Sequence, residues 1–275
     1  MQNRKELLSY LDTLSLIVVA VVLFLFPLLF TSLTSDAFVL PKQILLGAGV
    51  TLALIFLGVR TIIEGKLRLR STPFDLPVFL FALVLFLSSF LSVNRTDSLI
   101  SFIPLLYAVL LYFVIVNVVR GKKGIMVICG ALITGTVLAS ILSILSFIKI
   151  YALPFPYTHV QFFTPLGSLL DQALILGAVL PLAAYLTHPV FSAIVLHGKA
   201  EGASVKKLET HNMLFGIGFI LMTLGLIVTL LQLMTTQTPL ILPFWEGFRT
   251  ALGSISRDTA RSLQSFLFGS GYGTY

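Results

Sequence analysis

Seven predominantly apolar runs, at 14–30, 44–59, 76–93, 99–119, 125–148, 173–186 and 213–233, limit what this 275-residue chain can fold into. A helix needs about 20 mostly apolar residues to cross roughly 30 Å of hydrocarbon. The second and sixth runs are short and are expected to borrow flanking residues at 38–40 and 169–170. Strands cross lipid only as closed barrels, and the runs lack the apolar/polar alternation a barrel strand requires. The expected fold is therefore all-α, a polytopic transmembrane bundle of about seven spans.

Composition supports the same conclusion. Hydrophobic residues make up 57% of the chain and charged residues 11%, with mean hydropathy +1.02. A soluble domain carries about 45–50% and about 25%. The first run is long, and Thr31, Ser32, Leu33 and Thr34 after it offer no small-x-small cleavage site, so it reads as a span rather than a signal peptide. The one cysteine, Cys129, lies inside an apolar run, so no intrachain disulfide can form.

The formal charge is +7. In a membrane protein such an excess sets topology, and no nucleic-acid partner is implied. With the N-terminus inside, twelve of the 18 Lys and Arg fall in inner segments. They are Arg4, Lys5, Arg60, Lys66, Arg68, Arg70, Arg120, Lys122, Lys123, Lys199, Lys206 and Lys207. Lys42, Arg95, Lys149, Arg249, Arg257 and Arg261 fall outside. The positive-inside rule thus places the N-terminus in the cytoplasm. Residues 1–234 form the membrane region, and 235–275 begin an outer segment.

None of the seven runs contains Asp, Glu, Lys, Arg or His, the groups that ion-coupled transporters and proton pumps use at membrane depth. The seventh also lacks a lysine for a retinal Schiff base. The acids include no Asp-x-Asp pair to clamp a metal on a nucleotide sugar. His188, His197 and His211 of the expected inner loop 187–212 are spaced by 9 and 14 residues, which fits no common metal-ligand pattern. No metal and no cofactor are expected. Chemistry is left to two outer segments, the loop 149–172 and the tail. The loop carries Pro154, Pro156, Pro165, His159 and five aromatic residues, Tyr151, Phe155, Tyr157, Phe162 and Phe163. Its aromatics are expected in the headgroup layer, with Pro165 to Gly167 turning into the sixth span.

In the tail, 244–267 reads as one amphipathic helix with Trp245, Phe248, Leu252 and Ile255 at 3–4 residue spacing. Arg249, Arg257 and Arg261 fall within about 120° of one another around it. Such a stripe suits a helix lying among lipid headgroups. It equally suits a diphosphate, whose oxygens match the guanidinium fork. Gly269, Gly271 and Gly273 follow as a turn whose backbone amides could meet a phosphate.

The segment from Phe244 to Ala251, followed by Leu267-Phe268-Gly269-Ser270-Gly271-Tyr272-Gly273, resembles the O-antigen ligase/polymerase family of bacterial polytopic membrane proteins. There an outer helix leads into an "lfGxGxG" turn. Phe163 to Ser168, at the entrance to a span, resembles that family's "fgnpn" loop. Arg257 and Gly273 also have the Arg-x15-Gly spacing of the polymerase branch, but the three Arg of the tail and the three Gly of the turn make nine possible pairs, so one match carries little weight and ligase and polymerase stay open. The chain departs from the family in carrying His159 and Gln161 where an arginine is expected before the sixth span.

The resemblance implies metal-independent glycosyl transfer at the outer face of the bacterial inner membrane. The donor would be an undecaprenyl-diphosphate-linked glycan, and the acceptor a glycan, a lipid A core or a protein. Arg257 and Arg261 would stabilise the departing diphosphate. Arg249, Gly269, Gly271, Gly273 and His159 would help to bind substrate. The family's histidine base lies further along the outer loop, so the chain reads as the N-terminal portion of a longer enzyme, inactive alone. A transporter or flippase for amphipathic lipids and a non-catalytic scaffold are the alternatives.

Overall fold

The computed structural model describes residues 2–66, 69–92, 94–197 and 210–235, together with Trp245, Glu246, Arg249 and Gly253. Within these residues the fold is all-α and contains no strand. Its helices are α1 (Gln2–Leu25), α2 (Val39–Glu64), α3 (Asp75–Phe90), α4 (Arg95–Val118), α5 (Gly121–Phe147), α6 (Leu169–His197) and α7 (Thr210–Thr235). Six of the seven are long and apolar enough to cross a bilayer, so this is a multi-pass membrane protein. The exception is α3. A span was expected at 76–93, but its helix has only 16 residues, about 24 Å at 1.5 Å per residue.

Helix ends follow local chemistry rather than the edges of the apolar runs. The first run was expected to stay helical to residue 30, yet α1 stops at Leu25, because Pro27 has no N–H to continue the ladder. Asp36 opens α2 by accepting from the amides of Phe38 (2.8 Å) and Val39 (2.9 Å). Pro41 is tolerated because it lies in the first turn. Asn94 caps α4 through the amide of Asp97. The inner loop expected at 187–212 is shorter than its sequence suggested, since α6 runs on to His197 and α7 begins at Thr210. His188 and His197 therefore stand on helix α6, and His211 on α7.

The chain divides into two compact units. Unit 1 holds Met1–Val19, Leu46–Val119 and Pro239–Tyr275. Within it Tyr112 of α4 donates to Asp75 Oδ1 (2.8 Å), which also accepts from the Thr72 hydroxyl, tying α4 to the start of α3. Arg60 pairs with Asp12 (2.9 Å) and Glu64 (3.2 Å), joining α2 to α1.

Unit 2 holds Ala20–Leu45 and Arg120–Thr238. Its core is Ile133 of α5, Leu176, Val179 and Ala183 of α6, and Phe215 and Met222 of α7. Small residues let the backbones close up, as helices in lipid require. A Cβ on Gly225 would collide with Ser140 Oγ, and one on Gly135 would collide with the carbonyl oxygen of Phe24. Ser140 in turn donates to Leu221 O (3.2 Å), so the α5–α7 contact is polar as well as close.

Candidate functional site

At one end of unit 2, the end of α1, the starts of α2 and α6 and the ends of α5 and α7 come together beneath the segment that links α5 to α6. The loop was expected over 149–172, but α6 already begins at Leu169, so the linking segment ends at Ser168; it is folded down onto the helix ends. Phe30, Phe38 and Phe163 make its apolar seat. The Phe30 ring lies 5.4 Å from Phe163, edge-on, and 6.1 Å from Phe38. Phe163 is buried, whereas Tyr151, Phe155, Tyr157 and Phe162 are exposed. The expectation of a wholly interfacial aromatic set is thus corrected at Phe163, which is a core residue.

The turn into α6 is as expected from Pro165 and Gly167. Gly167 has φ +94° and bonds back to Thr164 O (3.0 Å). A Cβ there would stand 2.7 Å from Phe38 Cβ and Cγ. Only glycine satisfies both the left-handed backbone and the close approach to Phe38.

Polar groups lie beneath this lid. The Lys42 ammonium is buried, donates to Phe38 O (3.0 Å) and Pro165 O (2.9 Å), and sits 5.8 Å from the Phe38 ring centre. The carboxylates of Asp171 and Asp36 attract it. Asp36 itself lies outside the helices. The amides of Val39 and Phe38, and then the Lys42 charge, hold its carboxyl below the ordinary aspartate range. Gln172 closes the first turn of α6 and is 1% exposed, and neither its Oε1 nor its Nε2 has a hydrogen-bond partner. Gln232 in the last turn of α7 is fully buried, with Nε2 donating to Gln161 O (3.3 Å) and Oε1 unpartnered. Burying an amide without partners costs about 1–3 kcal/mol. Gln172 and Gln232 therefore mark this end of unit 2 as one that can donate a hydrogen bond to, and accept hydrogen bonds from, a polar guest or ordered water.

His159 lies in the lid. Its Nε2 is 3.0 Å from Leu153 O, and its ring stacks on Tyr151 with centres 5.0 Å apart. The histidine fastens the loop to itself, as a satisfied polar residue does. In unit 1, Trp245, Glu246, Arg249 and Gly253 are helical and exposed, in keeping with the helix expected over 244–267. Arg257, Arg261, Gly269, Gly271 and Gly273 lie outside the described residues. Among the described residues no group of three or more His, Cys, Asp or Glu could hold a metal.

Lys42, Gln172 and Gln232 were not singled out from the sequence. Lys42 read as a loop charge because the apolar run begins at Ile44, but α2 begins three residues before Lys42. The signal available was Gln232 itself, an amide set within an otherwise apolar run.

No protein family, no curated protein and no solved structure matches the chain.

Proposed function

We propose that this protein is part of a lipid-linked-glycan transferase of the O-antigen ligase type, in the inner membrane of a bacterium. It moves a glycan from undecaprenyl diphosphate to an acceptor hydroxyl on the outer face. The observation that carries the reading is the tail. An aromatic and arginine-bearing segment, helical wherever it is described, leads into Gly269-Ser-Gly271-Tyr-Gly273. A departing diphosphate gathers negative charge, and fixed guanidinium groups stabilise that charge without a metal. Arg257 and Arg261 stand one turn apart in the sequence pattern and take that role, with Arg249 on a second phosphate or on headgroups.

The test is genetic and chemical. Cells lacking the gene should accumulate the undecaprenyl-diphosphate-linked glycan on the outer leaflet. The intact gene should restore transfer, and an Arg257→Ala/Arg261→Ala double variant at equal abundance should not. Near-normal transfer by the double variant would remove the catalytic assignment. Accumulation on the inner leaflet instead would favour a flippase.

A further inference from the structure

Within unit 1, a cleft of about 390 Å³ opens between α2 and α4. Its walls are apolar, chiefly Leu54, Leu57, Ile62, Leu69, Phe113 and Val114. The polar side chains that line it, Arg60, Thr61 and Asn117, are already engaged within the protein. Thr61 Oγ1 donates to Leu57 O (2.9 Å), and Asn117 Nδ2 donates to Phe113 O (2.8 Å). Asn117 Oδ1 accepts from the Arg70 amide (2.9 Å), and Arg60 is ion-paired to Asp12 and Glu64. What remains is a hydrocarbon slot. It reaches the backbone of α2, because a Cβ on Gly58 would meet nothing within 4 Å. It is open at its edge, where Ile62 is 81% and Leu69 69% exposed.

The volume falls in the range of small-molecule sites, about 300–1,000 Å³. An apolar slot of this size does not stay empty in a bilayer. Left vacant, its walls forfeit dispersion contacts, and filled with water they bear the cost of apolar hydration. The slot starts near the ends of α2 and α4, at Ile62 and Asn117, and runs back to Leu54. That is about 12 Å of helix at 1.5 Å per residue, one end at headgroup level and the rest at acyl-chain depth. At the headgroup end stands Arg70, joined to the slot by Asn117. Its guanidinium has five N–H donors and bonds Val119 O through Nη1 (2.9 Å), so the fork can still take a phosphate.

We propose that this cleft is a phospholipid site, with one acyl chain along Leu54, Leu57 and Phe113 and the phosphodiester against Arg70. In the N-inside orientation the lipid belongs to the inner leaflet. The proposal is independent of the glycan reading and adds a resident lipid on the opposite side of the membrane from the proposed transfer.

The chain has one Trp, so Trp245→Phe with Phe113→Trp gives a reporter inside the slot. The double variant is reconstituted into vesicles of phosphatidylethanolamine and phosphatidylglycerol, with a brominated phospholipid as quencher. A Trp at Phe81, on exposed α3, serves as the control for random lipid contact. Phe113→Trp should be quenched at several-fold lower brominated-lipid fraction than the control. Gly58→Leu, which fills open space, should abolish that difference, and Arg70→Gln should weaken it several-fold. Native mass spectrometry gives a second readout: one retained phospholipid on the otherwise unaltered chain and none on Gly58→Leu. Quenching equal to the control, or a retained lipid indifferent to Gly58→Leu, would overturn the site. Equal quenching by a brominated alkane with no effect of Arg70→Gln would overturn the phospholipid assignment.

Discussion

The ammonium of Lys42 is bonded to the carbonyl oxygen of Pro165, 2.9 Å away and 123 residues further along the chain. This bond holds the lid of unit 2 to the start of α2, and it does so in a buried place where water cannot substitute. A hydrogen bond with a charged partner contributes about 1.5–3 kcal/mol. Lys42→Ala should therefore lower stability by about that amount, and it should loosen the lid first, since Pro165 O is left without its donor. Thr164 is buried beside that carbonyl. A Thr164→Cys reporter should be alkylated faster by a membrane-impermeant maleimide in the Lys42→Ala background. Equal rates in both backgrounds would show that the aromatic seat alone holds the lid.

Gly167 tests the seat from the other side. A side chain there meets two obstacles, φ +94° and the Phe38 side chain at 2.7 Å. A left-handed non-glycine residue costs about 1–3 kcal/mol before any clash is counted. Gly167→Ala is expected to lower the detergent-solubilised melting temperature clearly. Gly177→Ala is the control, because a Cβ there meets nothing within 4 Å and its backbone is helical. Similar melting of the two variants would show that the turn can rearrange.

How much of this was legible in the sequence depends on which force sets each feature. Hydrophobic length fixes the existence of helices, so the seven apolar runs map onto seven helices. Their ends are set by proline, caps and lone polar residues, which the runs do not record. Pro27 ends α1 early, Asp36 starts α2 before Lys42, and α6 continues past its apolar stretch to His197. The turn at Gly167 was readable because Pro and Gly have local preferences. The burial of Lys42 was not, because its partner Pro165 is distant in sequence and no local pattern announces it. Gln172 was not legible as a buried residue either, for the same reason. It read as the last residue of a loop, and tertiary packing makes it one of the most buried polar residues described.

Asp36 gives a pH prediction with a definite sign. Its folded-state pKa lies below the ordinary aspartate value, chiefly because the Val39 and Phe38 amides bond the carboxylate. A group depressed in this way adds stability above its unfolded pKa, about 3.9, and loses it as pH falls through the lower folded value. The advantage of the unaltered protein over Asp36→Asn in thermal midpoint should be full near pH 6 and shrink progressively below about pH 4. An advantage that grows on acidification would contradict the cap geometry.

The arginine stripe of the tail separates the two readings of its helix by chemistry rather than by position. If Arg257 stabilises a leaving diphosphate, Arg257→Ala should lower glycan transfer by roughly 10²-fold or more. Arg257→Lys should recover only part of the loss, because an ammonium is a point charge and cannot reproduce the bidentate fork. If the stripe only rests among headgroups, Lys should serve as well as Arg, and Ala should cost little beyond weaker membrane contact. Arg249 provides the internal comparison. It is exposed and helical, four residues after Trp245, and the sequence pattern puts it two turns before Arg257. If Arg249 rests on headgroups rather than on a second phosphate, it should accept Lys with near-full activity. Transfer should then fall steeply for Arg257→Ala, partly for Arg257→Lys and hardly at all for Arg249→Lys, measured at equal membrane abundance. A uniform, small response at both positions would return the helix to the role of a membrane anchor, and the diphosphate site would have to be sought elsewhere on the outer face.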